Sequence, residues 1–600
     1  SRLICTHPFL GIILKVRVIT MPHSKEDGLQ TWTSVTDPVE VVFNSHLGVI
    51  ERTPQSSKEG EETRRKDLDE EATEDKPPTS TGQLAAGDEI NIYDPRNAGF
   101  LMQYFAVGVI YGGLPGTVYG FFLGYLNVPG YVYATAGVVT TLPWSFKFFF
   151  GLMNDCLPVN GYSRKPYMVF GWALCCATLV VLNRVGLPDP YWCVGADGNY
   201  LKHQEPCNPS AASAGGEYAM LMCLAALGYV IADVAADGLM VQYAQREPQE
   251  RRGTIQTTVY LVRTLGQIGS TALIAFCMNG KLYNGTFDWS LSFNDVMGIF
   301  AVPAGLMVPL SWFLVVEEKV QPGERKSLRS YLKEVWGLIT SKAFFFVIMF
   351  QFWEPFVGRI STPAGGLVKS EWAGVKNLQN QLFSLVALFV FSFGLWQVKK
   401  HFLNTSWRMM LLGTSVLINV MDATLAFLTI FDVVRNQYFY LGESILDEIP
   451  AAANFVIGTF IVVEMADKGN EGLTYGLMTT VANLGTPFAR AVGNQIFGLF
   501  PANLSDAANY VADTQDFRQT VATSFAVSYL FSFLSLIFLF LLPSQKQQAQ
   551  QRKRDWSRHA AFGYITVGLV FFALSYSLTV SFMTMSPEMA CLKFVGGKGC

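Results

Sequence analysis

Gly151-Leu152-Met153-Asn154-Asp155-Cys156-Leu157-Pro158-Val159-Asn160-Gly161-Tyr162-Ser163-Arg164-Lys165-Pro166 stands between two long apolar runs, where a soluble core has no reason to place it. Gly151 permits two helices to approach closely, and Asp155 can cap a helix end or pair with a base. The Gly161-Tyr162 turn then leads to Arg164 and Lys165, a basic pair that resists crossing a bilayer. Such a stretch reads as a short cytoplasmic hinge between two membrane helices.

On either side of it, apolar runs of about 20 residues recur, each long enough to cross a hydrocarbon layer of roughly 30 Å. Half of the 600 residues are hydrophobic and only 15% are charged, against roughly 25% in ordinary globular proteins. Spans are expected at 99–126, 130–152, 166–186, 217–241, 254–279 and 293–316, and then at 343–367, 377–399, 407–431, 437–463, 472–500 and 517–542. Two sets of six give an all-α membrane protein with two six-helix halves, 98–316 and 342–543, around a charged cytoplasmic stretch, 317–341. A basic cytoplasmic segment, 544–558, and a further apolar run, Ala560 to Met585, extend this plan to a thirteenth span and an external tail within 559–600.

Residues 1–97 precede the first span and are expected to form a disordered cytoplasmic tail, since Glu51 to Lys76 is dense in charge with little to bury. Phe9 to Leu14 is apolar but too short for a signal peptide. The formal charge of -3 gives no basis for a nucleic-acid partner. With six His and no Cys/His ligand spacing, a metal site is not expected. No Walker motif or nucleophile elbow occurs, so neither an enzyme, a cofactor nor ATP drive is expected.

Basic residues set the orientation. Arg164, Lys165, Arg246, Arg251, Arg252, Arg325, Lys326, Arg329, Lys399, Lys400, Arg408, Lys546, Arg552, Lys553 and Arg554 all fall on one side, taken as cytoplasmic. The opposite loops carry sequons at Asn284 and Asn503, both glycosylation candidates, whereas the sequon at Asn404 falls on the cytoplasmic side. Cys193, Cys207, Cys591 and Cys600 also lie outside and can form one or two disulfides of undetermined pairing. External sequons and cysteines favour the plasma membrane. Gly253 to Gly266 and Gly472 to Gly485 have the same interval, each at the start of the fifth span of its half, as parallel repeats would.

A charge at bilayer depth costs at least about 2.5 kcal/mol and needs a reason. Asp233 and Asp237 lie one turn apart on the fourth span, and Arg263 lies near mid-depth on the fifth. Glu354 and Arg359 flank Pro355, Asp422 is central on the ninth span, Glu443, Asp447 and Glu448 precede Pro450, and Arg490 follows Pro487. These are the substrate-binding and coupling candidates, with structural ion pairing as the competing reading for any one of them. Two carboxylates sharing a helix face are hard to ionise together, the condition proton coupling requires. Asp233 and Asp237 are therefore the first choice, or an ion lock with Arg263, and Glu443 and Asp447 the second. Arg263 and Arg490 suit an anionic substrate. Tyr104, Tyr111, Tyr119, Trp353 and Tyr475 could stack on a flat heterocycle, although helix packing is the commoner use. Lys147, late in the second span, is expected to snorkel to the interface.

The run from Lys147 to Asp155, with Pro158, Gly161-Tyr162-Ser163-Arg164-Lys165-Pro166-Tyr167, resembles the folate–biopterin transporter family. So does Ala232-Asp233-Val234-Ala235-Ala236-Asp237-Gly238, followed by an Arg-rich turn. The resemblance covers about 95–543 and implies a major facilitator fold and proton-coupled uptake of folates or pterins. Ser163 stands where the family commonly has another Arg, and the C-terminal segment exceeds a twelve-span plan. The alternatives are a facilitator for another solute (nucleoside, sugar or amino acid) and a membrane receptor that binds without moving its ligand.

Overall fold

The structure is a computed structural model that describes residues 89–248, 254–320, 327–402, 405–446, 448–465 and 471–600. The tail before residue 89, Arg251, Arg252, Arg325, Lys326, Asn404 and Asp447 lie outside the described residues. Helices α1 (Ala98–Val118), α2 (Gly130–Val139), α3 (Lys147–Cys156), α4 (Lys165–Arg184), α5 (Ala211–Ala244), α6 (Thr254–Cys277) and α7 (Phe293–Phe313) build the first half. After α8 (Leu328–Ile339), the second half comprises α9 (Lys342–Gly358), α10 (Asn377–Gln397), α11 (Trp407–Ile430), α12 (Gln437–Leu446), α13 (Glu448–Met465), α14 (Glu471–Gly498) and α15 (Gln515–Ser535). A basic helix α16 (Lys546–Asp555) and α17 (Ala560–Met585) follow. Among the described residues β-structure is limited to isolated bridges.

Among the described residues nine helices are long and apolar enough to cross a membrane, α17 among them. The four remaining expected spans fall short for identifiable reasons. Thr140 to Phe146 breaks the second, because Pro143 cannot donate to a continuous helix and leaves a tighter turn before α3. The seventh ends at Gly358, three residues past Pro355, and the tenth is described as α12 and α13, on either side of a residue outside the described set. The eleventh, α14, is continuous but carries Thr480, Asn483, Thr486, Arg490 and Asn494. Within the expected polar central stretch, α8 is amphipathic and buries Tyr331, Val335, Leu338 and Ile339 along one stripe.

The two halves repeat the same pairing. α1 packs on α6 as α9 packs on α14, α4 on α5 as α11 on α13, and α4 on α7 as α11 on α15. Gly266 and Gly485, the two glycines with matched intervals, occupy equivalent crossings. A Cβ at Gly266 would collide with the carbonyl oxygen of Phe105 on α1, and one at Gly485 would lie 3.0 Å from Pro355 Cγ on α9. Each half also has its own core, with Phe100, Trp172 and Phe293 in the first, and Ile348, Trp407 and Met478 in the second.

The halves meet where α6 packs on α10 and where α2 and α3 pack on α14. α17 touches α2 and α5 of the first half and α9 and α14 of the second, so it lies over the seam. Its tail is closed by the Cys591–Cys600 disulfide, and the loop before α5 by Cys193–Cys207. Both disulfides sit at the end of the bundle opposite the hinge.

Candidate functional site

One turn of α5 places Asp233 and Asp237 on the same face. The break before α3 brings Lys147, the first residue of that helix, against them. Lys147 Nζ lies 3.1 Å from Asp233 Oδ2 and 2.9 Å from Asp237 Oδ2. Tyr104 Oη on α1 donates to Asp237 Oδ1 at 3.2 Å. Asp233 is fully buried, and its contact with Lys147 is out of hydrogen-bond line, so neither of its oxygens has a directed partner. Lys147 itself is 8% exposed and does not snorkel to an interface. Two carboxylates need two cations, and the stacking geometry supplies the second.

Arg263 Cζ stands 4.6 Å above the Tyr111 ring and 5.1 Å from that of Trp144, while Lys147 Nζ lies 4.4 Å from Trp144. Trp144 Nε1 donates to Tyr229 Oη at 3.0 Å, which fixes the indole between the two cations. The close crossing of α1 and α6 holds Arg263 there, because Gly108 leaves no room for a side chain against the Arg263 carbonyl. The result is a charge-balanced cluster of Asp233, Asp237, Lys147 and Arg263 inside the first half.

A cavity of about 750 Å³ adjoins this cluster between the halves. Tyr111, which carries Arg263 on its ring, forms part of its wall, but none of the four charged groups does. Of the described charged candidates only Asp422 and Arg490 line it, both from the second half. The first half contributes Tyr111, Tyr119, Tyr133, Gln267 and Thr271. Arg490 Nη1 makes a long contact of 3.4 Å to Ser361 O, and its Nε is buried without a partner. Volume and lining fit a small-molecule site.

The other candidates are dispersed. Arg359 is exposed and bonds Thr486 Oγ1 on α14, while Glu354 is half-buried one turn earlier on α9, and the two do not form an ion pair. Glu448 is half-buried at the start of α13, with Glu443 on the preceding helix, and Asp447 falls outside the described residues. Trp353 stacks on Phe538 within the second half, away from the cavity wall. Asn284 Nδ2 donates to Val375 O at 3.0 Å, and Asn503 Oδ1 accepts from Ser505 N at 3.2 Å.

The hinge differs from its sequence reading in one respect. A side chain at Gly151 would meet nothing within 4 Å, so this glycine is not at a close helix crossing. Gly161 does need its freedom, with φ of +84°. Arg164 donates to Asp155 Oδ1 at 2.6 Å, and Glu317, beyond α7, accepts from the backbone N–H groups of Ser163, Arg164 and Lys165, each at 2.8 Å. A carboxylate on the free N–H groups that open α4 is favoured by charge as well as by hydrogen bonding. Sequence reasoning missed Glu317, and it gave Tyr104 a stacking role and Lys147 an interfacial one in place of their contacts with the carboxylate pair. Lys147 gave its signal as a cation within an apolar run, and Glu317 gave none.

The model of the BT1 family matches residues 108–185, the segment that holds the hinge and Lys147. The chain is 22% identical over 479 residues to the folate-biopterin transporter of Synechocystis sp. (strain ATCC 27184 / PCC 6803 / Kazusa), covering 75% of this chain and 82% of that one. It is 24% identical over 142 residues to probable folate-biopterin transporter 4 of Arabidopsis thaliana, 24% of each chain. Among solved structures, a D-xylose-proton symporter aligns with a TM-score of 0.50 at 11% identity, over 75% of this chain and 97% of that one. The inward-open xylose transporter XylE from E. coli aligns with a TM-score of 0.50 at 12% identity, over 78% and 100%. The resemblance to the folate–biopterin transporters and the facilitator fold both stand. The chain is a multi-pass membrane protein similar in sequence and in fold to these transporters.

Proposed function

We propose that this membrane protein carries folates or unconjugated pterins by alternating access of its two halves around the central cavity, with protons as the coupling ion. The observation that carries the reading is the cavity between the halves, whose wall joins five tyrosine rings to one carboxylate and one guanidinium. A folate or pterin offers a flat ring for the former and polar edges for the latter. The relatives named for folate and biopterin transport support the same substrate class.

Asp233 and Asp237 are the proposed proton-responsive pair. Protonating Asp233 would release Lys147 to Asp237 alone, and Tyr111 places that event next to the cavity through Arg263. A charge change in a low-dielectric cluster can thus bias the packing of α3, α5 and α6. The sequons and disulfides at the end opposite the hinge favour that end as the exterior and the plasma membrane as the location.

Uptake of labelled folic acid and biopterin into a transport-deficient host tests the reading, at acidic and neutral external pH, with and without a protonophore. Saturable uptake that is faster in acid and collapses with the protonophore is the expected result. No uptake of either compound, with the protein at the surface, rejects this substrate class. Uptake indifferent to pH and protonophore rejects the coupling but retains the substrate.

A further inference from the structure

Resting on the folate and pterin reading, we propose that the cavity is bipolar: Arg490 holds the ligand's carboxylate, Asp422 holds the donor edge of its heterocycle, and Arg490 thereby sets the preference for conjugated over unconjugated pterins.

The argument begins with which charges reach the cavity. Four cationic or acidic side chains cluster in the first half, but they neutralise one another behind Tyr111 and Trp144. Arg263 has its guanidinium face on an aromatic ring and carboxylates beside it, so it has little left to offer an anion. Arg490 is placed differently. It lines the cavity, and among the described residues no carboxylate pairs with it, its one hydrogen bond is long, and its Nε is buried without a partner. A guanidinium has five N–H donors in a fixed fork that matches a carboxylate. Donors left unspent beside a polar cavity are a receptor for that group.

Asp422 supplies the opposite chemistry from a different helix, α11, while Arg490 stands on α14. An ionised carboxylate only accepts hydrogen bonds, so it suits the adjacent ring N–H and exocyclic amine of a pterin. The first half contributes no charge to the wall; it brings Tyr111, Tyr119, Tyr133 and Gln267, while the second half adds Tyr440 and Tyr529 to its two charges. A ligand held by Asp422 and Arg490 of the second half and lying against Tyr111, Tyr119 or Tyr133 of the first bridges both. Its binding energy is then available to draw the halves together. An unconjugated pterin has the donor edge and the ring but no carboxylate, so it uses Asp422 and the tyrosines without Arg490.

The test is the KM of purified protein in proteoliposomes for folic acid and for biopterin, in wild type, Arg490→Gln and Asp422→Asn. Arg490→Gln is expected to raise the KM for folic acid by roughly tenfold to a hundredfold, the range for a lost hydrogen-bonded charge, with the biopterin value altered less than about threefold. Asp422→Asn is expected to weaken both compounds together. If Arg490→Gln does not reach the membrane, Arg490→Lys keeps the charge without the fork and should still shift folic acid selectively. Thermal stabilisation by 4-aminobenzoylglutamate, the carboxylate-bearing part alone, should be present in wild type and reduced in either Arg490 variant. Equal effects on both compounds, or none on folic acid, overturn the assignment while leaving the substrate class intact. Wild-type protein that moves neither compound overturns both.

Discussion

Lys202 Nζ holds both carboxylate oxygens of Glu371, at 2.8 and 2.7 Å, across the boundary between the two halves. Lys202 sits in the loop closed by Cys193–Cys207, and Glu371 follows α9. The same end is tied by Tyr119 Oη to Val375 O at 2.6 Å and by Asn377 Nδ2 to Met278 O at 2.7 Å. Closure at the disulfide-bearing end therefore rests on several bonds, of which one is ionic.

Reversing that ionic bond should favour opening. In Lys202→Glu, two carboxylates would face each other where a pair now stands. Labelling of a cavity cysteine, Ser384→Cys, by an impermeant thiol reagent from that face should accelerate by roughly tenfold, equivalent to about 1.4 kcal/mol. The double variant Lys202→Glu with Glu371→Lys should return the rate close to its starting value. Unaltered labelling in the single variant would show that the neutral bonds alone keep the face closed.

Periodicity made most of the fold legible, because long apolar runs have few other uses. The second and seventh spans fall short near Pro143 and Pro355, and the eleventh, α14, is continuous but polar. α14 faces the other half and bears polar groups, so its mean hydropathy falls even though it is continuous. The site was legible only residue by residue. Depth along a helix does not reveal azimuth, so Arg263 and Arg490 looked equivalent, although one faces an aromatic box and the other the cavity. Lys147 read as an interfacial lysine because the break at Pro143, which restarts the helix at that residue, rotates it toward α5. Glu317 reaches the start of α4 from a distant part of the chain, a relation no local pattern contains.

Lys147 compensates two buried carboxylates with help from Arg263, so its loss should be costly. Lys147→Met leaves the cluster one negative charge in excess, and an uncompensated buried charge costs about 3–5 kcal/mol. Surface expression, read by biotinylation, is expected to fall severely. Adding Asp233→Asn restores neutrality and should recover expression without recovering proton-driven uptake. Equal expression of the single and double variants would exclude charge balance as the reason for Lys147.

The hinge and the carboxylate pair share a contact through Gly238, the residue after Asp237. A Cβ there would lie 2.7 Å from Arg164 Cζ. Gly238→Ala should push the guanidinium off Asp155 and loosen the turn around Gly161, with a stability loss of about 1–2 kcal/mol. Glu317→Gln, which weakens the three N–H bonds at the start of α4, should give a loss of similar size. Limited proteolysis between Val159 and Ser163 reports the loosening. Cleavage at the wild-type rate in both variants would mean that the turn holds its shape without these contacts.

Asp513 accepts from Arg435 Nη1 and Arg518 Nη2, each at 2.6 Å, in the segment before α15. Burial pushes its carboxyl upward, but the bonds from Arg518 and Arg435 outweigh that and hold it at about 2. The folded-state value is depressed, so its contribution to stability is fully present above the ordinary carboxylate range of about 4. That contribution is lost as pH falls from there toward about 2. Asp513→Asn should therefore lower the Tm of the detergent-purified protein near neutral pH, and the gap from wild type should narrow below pH of about 4. The acid limb decides the matter, because a gap that stays constant through it would assign the loss to packing of the loop and not to the charge on Asp513.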